Sequence, residues 1–398
     1  MKLEKIAKKF GTPTYVYDSS TIKNQYNKLK NAFDGLDVKL FYALKALNNI
    51  NILKLLRKEG AGLDAVSIEE VLLGIRAGYQ PNEIIYTPNC VDFNEIIEAV
   101  KIGVQINIDN LSILEQFGNK FGKNIPCCIR INPHIMAGGH RNISVGHIDS
   151  KFGISIHQVK HILRIVTNYK IKINGLHMHT GSDIVDADLF ILGAELLYEV
   201  AKEFPDLIFI DLGSGFKISY KEDDIVTPIN EIGKKIALSF RKFCENYGRN
   251  LELWFEPGKF LVSDSGKLLV KVSTVKQTTS TIFIGVNSGQ NHLIRPMFYN
   301  AYHKIENISN PKGPLKLYSV VGYICESDTF GYDRMISEVR EGDILAIHNV
   351  GAYGFSMSNN YNARLKPSEV LIQNENVFLI RKRETLSDLY KNEIEIDI

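Results

Sequence analysis

The sequence has few features of a secreted, membrane-spanning or nucleic-acid-binding protein. Its 398 residues include only five cysteines, an odd number without framework spacing, which argues against a disulfide-built fold. No apolar run approaches the ~18 residues of a membrane span, and no signal-peptide segment opens the chain. The 47 Lys and Arg nearly balance the 45 Asp and Glu, so a broad basic face is not expected. These absences predict a reduced, cytoplasmic protein that binds neither nucleic acid nor membrane.

What the sequence does contain is a regular alternation of short apolar runs with helix-period segments. Hydrophobic residues make up 44% and charged residues 23%, as in an ordinary folded domain. Eight β-branched apolar runs precede residue 265 and span 38–44, 62–66, 84–87, 105–108, 126–131, 173–178, 207–212 and 251–255. One of the intervening helical patterns begins with a capping box, Ser67 with Glu70. This alternation predicts an α/β fold, a (β/α)8 barrel over residues 25–265.

The character of the chain changes after residue 265. Gly, Asn and Pro turns, rather than helical segments, separate the apolar runs there, which span 267–277, 280–286, 317–324, 343–348 and 369–381. A further strand pattern occupies residues 13–18. We therefore predict a mostly β domain, sandwich-like or barrel-like, that is discontinuous in sequence and comprises residues 1–24 and 266–398.

Polar side chains end or follow seven of the eight predicted barrel strands. They include an amine, carboxylates, an amide, a guanidinium, an imidazole and a hydroxyl: Lys45, Asp64, Asn107, Arg130, His179, Ser214 and Glu256. Active sites of such barrels lie at the carboxyl ends of the strands. The pattern therefore predicts an active site at that end of the barrel.

Three of these positions together suggest pyridoxal 5′-phosphate (PLP) as a cofactor. Lys45 directly follows an apolar strand, and burial lowers the pKa of an amine, which makes it a nucleophile. The alternative is a strand-end lysine whose ammonium reaches solvent. Gly213-Ser214-Gly215 and Gly258 would bring backbone amides close to a phosphate. A carboxylate at Glu256 would keep a pyridine nitrogen protonated, so that the ring accepts electrons.

Six short motifs follow one another along residues 10–380. They are Tyr42-Ala-Leu-Lys45-Ala46, His179-Thr-Gly-Ser182, Gly213-Ser-Gly215, Glu256-Pro-Gly258, Cys325-Glu-Ser327 and Gly351-Ala-Tyr353-Gly-Phe-Ser-Met357. In this order they resemble the motifs of the PLP-dependent amino-acid decarboxylases of the alanine-racemase fold type. Within that group they are most similar to the lyases that convert meso-2,6-diaminopimelate to L-lysine and carbon dioxide, the last step of lysine biosynthesis.

The resemblance implies cofactor-binding roles for residues of the barrel. Lys45 would be linked covalently to PLP, His179 would stack on its ring, and Glu256 would meet its pyridine nitrogen. The phosphate would be held by one hydroxyl and by the backbone of the glycine loops: Ser182, Gly213, Ser214, Gly215 and Gly258. Tyr353 would contact both cofactor and substrate. No metal site is predicted.

Other matched residues imply how the substrate is bound and protonated. Cys325 matches the cysteine that returns a proton to the substrate Cα atom, and in the family it comes from the other subunit of a homodimer. The resemblance thus implies two shared active sites. Arg295 and Tyr299 match a substrate-binding segment. Glu326 would meet the distal ammonium of the substrate, and Lys259 would bind a carboxylate where the family usually has arginine.

Two alternatives remain open from the sequence. One is a PLP decarboxylase for another basic or diamino acid, such as ornithine, arginine or carboxynorspermidine, because Lys259 and Asp328-Thr329 depart from the family pattern. The other is a non-catalytic PLP-binding protein, which the mostly β domain after residue 265 disfavours. The segment 137–153, with its Gly, His and Arg residues, resembles a loop that covers the family's active site.

Overall fold

The computed structural model describes residues 3–135 and 150–398. Most of the predicted covering loop, including His140 and His147, lies outside the described residues. Contacts divide the chain into two compact units: a barrel unit of residues 23–218 and 225–261, and a β unit of residues 1–22, 219–224 and 262–398. The sequence did not predict that residues 219–224 group with the β unit.

The barrel unit contains all eight predicted strands. The chain first forms α1 (Leu3–Phe10) and β1 (Thr14–Asp18), which belong to the β unit. The strands of the barrel unit are β2 (Val38–Ala43), β3 (Gly62–Ala65), β4 (Ile84–Tyr86), β5 (Gln105–Ile108), β6 (Cys127–Asn132), β7 (Ile154–Ser155), β8 (Ile173–His177), β9 (Phe209–Asp211) and β10 (Glu252–Phe255). They pair in parallel in the order β5-β4-β3-β2-β10-β9-β8-β6, and β5 with β6 closes the ring. The short β7 is an addition that pairs with β6. The predicted (β/α)8 barrel is therefore confirmed.

Helices connect the barrel strands, and five of them begin at a residue whose side chain caps the first turn. They are α2 (Ser19–Lys30), α3 (Ile50–Lys58), α4 (Ile68–Ala77), α5 (Phe93–Ile102), α6 (Leu111–Phe121), α7 (Val159–Tyr169), α8 (Ala187–Ala201), α9 (Ile229–Tyr247) and α10 (Lys259–Val262). The capping residues predicted for α4 are in place: Ser67 Oγ accepts from the Glu70 amide at 3.2 Å, and Glu70 Oε2 accepts from the Val66 amide at 2.9 Å. Among the described residues, no helix combines the length and apolarity needed to cross a membrane.

Five barrel strands each contribute one residue to a buried hydrophobic cluster that contains three aromatic rings. It comprises Phe41, Ile85, Cys128, Phe209 and Trp254, all of them buried. The rings of Phe209 and Trp254 stack with centroids 3.5 Å apart. A side chain at Gly175 would place its Cβ atom 2.2 Å from the Phe209 ring, so glycine is required there. Close packing of this kind gives the strand ends a rigid base.

The β unit is built on one sheet that includes the N-terminal strand. Its further elements are β11 (Gly266–Gln277), β12 (Ile282–Val286), α11 (Arg295–Tyr299), β13 (Ile305–Asn307), β14 (Leu315–Val321), β15 (Thr329–Ser337), β16 (Ile344–His348), β17 (Ser368–Gln373), β18 (Asn376–Arg381) and α12 (Leu386–Tyr390). The strand order is β15-β14-β12-β11-β1-β17-β18, with β16 pairing β11 and β13. Because β1 pairs with both β11 and β17, both ends of the chain contribute to this sheet, as predicted.

Two predictions for the β unit need correction. The run 369–381 is a hairpin rather than one strand, since Asn374 and Glu375 have left-handed φ values of 47° and 67° and turn the chain. Strands β13 and β15 were not predicted. The pairing of β14 with β15 contains register shifts, and β15 buries its residues irregularly, so its sequence lacks the alternation that reveals a strand.

Candidate active site

The polar residues at the carboxyl ends of the barrel strands form one buried network around Glu256. His177 Nε2 lies 3.1 Å from Glu256 Oε2, and Thr87 Oγ1 donates to Oε1 at 3.4 Å. The Asn107 amide nitrogen lies 2.8 Å from His177 Nδ1. An amide nitrogen only donates, so Nδ1 accepts and the ring proton sits on Nε2, facing the carboxylate. The expectation that these strand ends converge is therefore confirmed.

Of the three buried carboxyl groups near the network, Glu256, Asp64 and Asp211, only Glu256 carries a full negative charge at neutral pH. Burial alone would raise the pKa of Glu256, but His177 and Lys45 outweigh it and lower this pKa to about 2. Burial and the neighbouring Glu256 charge raise the pKa of Asp64 to about 8, and they raise that of Asp211 well above its ordinary range. At neutral pH Glu256 is therefore ionised while its two carboxyl neighbours are mostly protonated.

Three groups of this network lie close enough together to hold a metal ion. The ligand atoms of His177, Asp211 and Glu256 fall within 4.8 Å of one another, a unique arrangement among the described residues. Asp211 is already engaged, because its Oδ1 accepts from the Gly213 amide at 2.8 Å and its carboxyl group hydrogen-bonds Glu256. These contacts connect the cluster as a hydrogen-bonded network, and the absence of a metal site stays a prediction from the sequence.

Lys45 occupies a short turn directly after β2. The turn spans Leu44–Ala46, and the Lys45 ammonium lies 3.7 Å from Asp64 Oδ2. The side chain is 45% exposed rather than buried, and its role as the amine that binds a cofactor stays a prediction. Lys45 therefore stands at the entrance of the network, with its amine accessible from outside.

The loop after β9 fits closely against the loop after β8. Gly213 and Gly215 have φ values of 63° and 122°, and their Cβ atoms would lie 2.5 Å from the Met178 carbonyl oxygen and 2.3 Å from that of Gly181. Only glycine fits both positions. The Gly213 amide donates to Asp211 and the Ser214 amide donates to His179 Nδ1 at 3.2 Å. Two of the amides predicted to hold a phosphate are thus bonded within the protein.

His179 is oriented by this loop. Because its Nδ1 accepts from the Ser214 amide, the neutral ring carries its proton on Nε2. Burial, together with the positive charges of Arg130 and Lys45, holds the pKa of His179 well below its usual range. An uncharged imidazole with a fixed plane suits the predicted stacking on an aromatic ring. Ser182, three residues further on, is half-buried in the same loop.

Lys259 has a partner that the sequence did not reveal. It follows Gly258 at the start of α10, and its ammonium forms an ion pair with Asp183 Oδ1. The Lys259 side chain is only 10% exposed, and that of Asp183 is 24% exposed. Gly258 itself lies close to β2, where a Cβ atom would be 3.2 Å from the Cβ atoms of Ala43 and Ala46. Lys259, which was predicted to bind a substrate carboxylate, is thus already paired with a carboxylate of the protein.

In the β unit, Cys325 and Glu326 belong to one exposed cluster. Asn362 Nδ2 donates to Cys325 Sγ at 3.3 Å, and Tyr361 Oη lies 3.8 Å from the same sulfur. Tyr361 also donates to Glu326 Oε1, while Gln290 Nε2 donates to Oε2 at 2.9 Å. The thiol and the carboxylate are both exposed, yet both are oriented by neighbours.

Asp328, one of the departures from the family pattern, serves the loop itself. Its Oδ1 accepts from the Gln290 amide at 2.8 Å and its Oδ2 from the Ile324 amide at 3.0 Å. The residue is 4% exposed, and burial raises the pKa of its carboxyl group. Asp328 therefore holds the loop of Cys325 in shape and presents no oxygen to a substrate.

The remaining predicted residues also lie in the β unit. Arg295 and Tyr299 are the first and last residues of α11, and the Arg295 guanidinium is 5.7 Å from the centre of the Tyr299 ring. Tyr353 is half-buried and adopts a left-handed φ of 56°. The roles predicted for these three residues stay predictions.

Sequence reasoning missed several residues of these clusters. Asp211 ends β9, so the rule that singled out the other strand ends would have found it. Tyr361 follows the last of the six motifs and carries no signal of its own. Asp183 contacts Lys259, which is 76 residues away in the chain, and Tyr220 contacts Arg295, which is 75 residues away. No local sequence pattern indicates contacts over such distances.

The barrel, its strand-end lysine and carboxylate, and its glycine loop define a pyridoxal-dependent decarboxylase. Residues 19–263 match the family model for the pyridoxal binding domain of pyridoxal-dependent decarboxylases. The enzyme of Methanothermobacter thermautotrophicus is 37% identical over 98% of this chain and 93% of its own length, and that of Bacillus subtilis is 35% identical over 97% and 92%. Both are diaminopimelate decarboxylases, and this chain belongs to the diaminopimelate decarboxylase family.

Solved structures give the same assignment. The crystal structure of diaminopimelate decarboxylase from Helicobacter pylori, complexed with L-lysine, superposes with a TM-score of 0.90 at 32% identity. The match covers 98% of this chain and 99% of that one. The two-part architecture predicted from the sequence is thus the architecture of the family.

The residues of the barrel site fit PLP. Gly213 and Gly215 stand where a Cβ atom would clash with the backbone of the loop after β8, so this loop forms only without side chains, as phosphate-binding loops commonly do. Several buried polar atoms in and beside the network, among them Asn107 Oδ1 and Thr180 Oγ1, have no hydrogen-bond partner within the described part of the chain. An ionised Glu256 matches a protonated pyridine nitrogen, and an accessible Lys45 amine matches an aldehyde carbon. These four features suit the ring, the phosphate and the aldehyde of the cofactor.

Proposed function

We propose that this protein is the PLP-dependent carboxy-lyase that converts meso-2,6-diaminopimelate to L-lysine and carbon dioxide. Membership of the diaminopimelate decarboxylase family carries the proposal. Two side chains also support it. The substrate carries an amine and a carboxylate at each end, so a site that recognises the distal end needs both an anion and a cation. Arg295 and Glu326 supply this pair. We also propose that the reaction takes place in the cytoplasm, in keeping with the few, free cysteines of the described chain.

In this reaction the barrel residues hold the cofactor and its charge. Bound PLP supplies an electron sink for the electron pair released when carbon dioxide leaves. Lys45 would hold the cofactor covalently through Nζ and yield it to the substrate amine. Glu256, ionised and buried, would keep a proton on the pyridine nitrogen. His179 would lie against the ring, while Gly215, Gly258 and Ser182 would contact the phosphate.

Residues of the β unit complete the reaction. Cys325 would deliver the proton of its Sγ atom to the substrate Cα atom, taking the place of the lost carboxylate. The resulting thiolate would be stabilised by the Asn362 amide, which already donates to this sulfur at 3.3 Å. Glu326 would accept from the distal ammonium, and Tyr353 would touch both cofactor and substrate. Arg295, with Tyr299 beside it, would bind the distal carboxylate.

We further propose that the protein is a homodimer with two shared active sites. In each site one chain would contribute Lys45 and the other would contribute Cys325. The exposure of the Cys325 cluster supports this arrangement, because an oriented thiol and carboxylate at the surface are suited to act on a neighbouring subunit. The resemblance to the family supports it as well.

The substrate assay tests the proposal directly. The purified holoenzyme should release carbon dioxide from meso-diaminopimelate, with L-lysine as product, at least about 100-fold faster than from ornithine, arginine or lysine. We expect this ratio because ornithine, arginine and lysine lack the distal carboxylate. When one of them binds, the Arg295 guanidinium would remain unpaired. Faster release of carbon dioxide from ornithine or arginine would identify the protein as a decarboxylase of another basic amino acid. If none of these substrates released carbon dioxide, the decarboxylase function would be contradicted.

The ion pair of Lys259 with Asp183 leads to a prediction about substrate affinity. Asp183→Asn should lower KM for meso-diaminopimelate about 3-fold, with kcat within about 2-fold, because the substrate carboxylate no longer competes for the ammonium. The matched control is Asp188→Asn, which removes the same charge from an exposed pair with Lys235. A rise in KM for Asp183→Asn alone would mean that the carboxylate orients Lys259 rather than competing with the substrate.

A further inference from the structure

The guanidinium of Arg295 lies between two tyrosine rings. Tyr299 is four residues further along α11, and its ring centre is 5.7 Å from the guanidinium. Tyr220 belongs to the segment 219–224 of the same unit, and its ring centre is 5.6 Å away. Arg295 Nη2 also donates to Tyr220 Oη at 3.4 Å. Two cation–π contacts and one hydrogen bond thus restrain the same cation.

The hydrogen bonds beyond Tyr220 have only one possible direction. A guanidinium cannot accept, so Tyr220 Oη accepts from Arg295 and keeps its own proton for another partner. That partner is Ser263 Oγ, 3.2 Å away, and Ser263 in turn donates to the Asn349 carbonyl oxygen at 3.1 Å. Ser263 is fully buried. The chain from Arg295 therefore ends on the backbone, which anchors the Tyr220 hydroxyl.

The packing around Tyr220 adds rigidity without adding charge. The ring of His303 packs edge-on against Tyr220 with centroids 5.6 Å apart. Its Nδ1 lies 2.8 Å from the His348 carbonyl oxygen, which requires a proton on that nitrogen. Burial, with the nearby Arg295 charge, lowers the pKa of His303 to about 3, so the ring is neutral. Arg295 Nε is buried and has no hydrogen-bond partner within the described part of the chain, which leaves a donor of this cation available to a ligand.

We propose that Tyr220 is a positioning residue that orients Arg295 and thereby sets the affinity for the substrate carboxylate that is not lost. The inference rests on the proposed function, in which Arg295 binds this carboxylate. Tyr220 would contact Arg295 and not the reacting atoms. Its removal should therefore change the binding of ligands that carry the distal carboxylate and leave the chemical step intact.

The test compares two inhibitors of the holoenzyme. L-Lysine, the expected product, keeps the distal carboxylate, whereas 1,5-diaminopentane carries no carboxylate. In Tyr220→Phe, KM for meso-diaminopimelate and Ki for L-lysine should both rise about 3- to 10-fold, with kcat within about 2-fold, because a hydrogen bond to a charged group is lost. Tyr220→Leu should raise both about 10- to 30-fold, because the cation–π contact is lost too. Ki for 1,5-diaminopentane should stay unchanged in both variants.

Two further variants keep the test decisive. Ser263→Ala removes the acceptor of the Tyr220 hydroxyl together with the bond to the Asn349 carbonyl oxygen, and it should raise Ki for L-lysine about 2- to 3-fold. Tyr390→Phe, on the exposed helix α12, is the matched control and should change none of these constants. Equal changes for L-lysine and 1,5-diaminopentane, or a loss confined to kcat, would overturn the role of Tyr220. A wild-type enzyme that binds L-lysine but does not decarboxylate diaminopimelate would overturn the proposed function instead, and the Tyr220 comparison could then be made from calorimetric binding constants.

Discussion

Replacement of Lys45 by alanine should abolish decarboxylation and the visible absorbance of the bound cofactor. We expect kcat/KM for meso-diaminopimelate to fall at least about 10⁴-fold, because the substituted enzyme lacks the amine that holds the cofactor and exchanges with the substrate. The fold should persist. Asp64, which loses its neighbour 3.7 Å away, already has a pKa raised to about 8 and can remain protonated. Absorbance spectra of the PLP-loaded protein and thermal melting curves measure both expectations.

Two further variants separate covalent chemistry from charge. Lys45→Arg keeps a cation beside Asp64 but offers a guanidinium, which stays protonated and is no nucleophile, so it should be as inactive as Lys45→Ala. Lys39→Ala is the matched control, because it removes a lysine of the preceding strand β2, whose ammonium pairs with the exposed Glu252 at 2.7 Å. It should retain the absorbance and the activity. Turnover by Lys45→Arg within about 10-fold of wild type would exclude Lys45 as the cofactor-binding amine.

Replacement of Cys325 by alanine should slow the protonation of the substrate Cα atom and leave the binding of the cofactor intact. We expect kcat to fall about 10²- to 10³-fold, since a positioned proton donor contributes a factor of this order. The cofactor absorbance should be retained, because Cys325 is assigned no contact with PLP. Thermal stability should change little, since the thiol is exposed. Cys90→Ala, at the other exposed cysteine, is the matched control and should be fully active. A normal kcat in Cys325→Ala would remove the thiol from the mechanism.

The same two variants test the shared active site. Lys45→Ala and Cys325→Ala chains, carrying different affinity tags, are expressed together and the mixed dimers are purified. In a shared site, each mixed dimer has one site with both substitutions and one with neither, so it should show about half of the wild-type activity. Mixed dimers with no more activity than the parent variants would place Lys45 and Cys325 of one site on the same chain.

Much of the fold could be predicted because its signals are local. Buried parallel strands appear in the sequence as short apolar runs, and the helices between them appear as periodic patterns with caps. The strand-end rule then located Asp64, Asn107, His179 and Glu256 without any knowledge of their contacts. The β unit was harder to predict, because β15 pairs through register shifts that disturb the alternation of its side chains.

The amino-acid sequence was sufficient to predict a (β/α)8 barrel, a β unit from both chain ends, and a lysine, a glycine loop and a glutamate in the order of a PLP-dependent decarboxylase. The charge and the orientation of these groups follow from the three-dimensional structure. It showed that Lys45 is accessible rather than buried, that Glu256 alone keeps its charge beside Asp64 and Asp211, and that Asp183 pairs with Lys259. The physical reason is that a pKa or an ion pair depends on burial and on neighbours far away in the chain, which exist only once the strands have closed into a barrel.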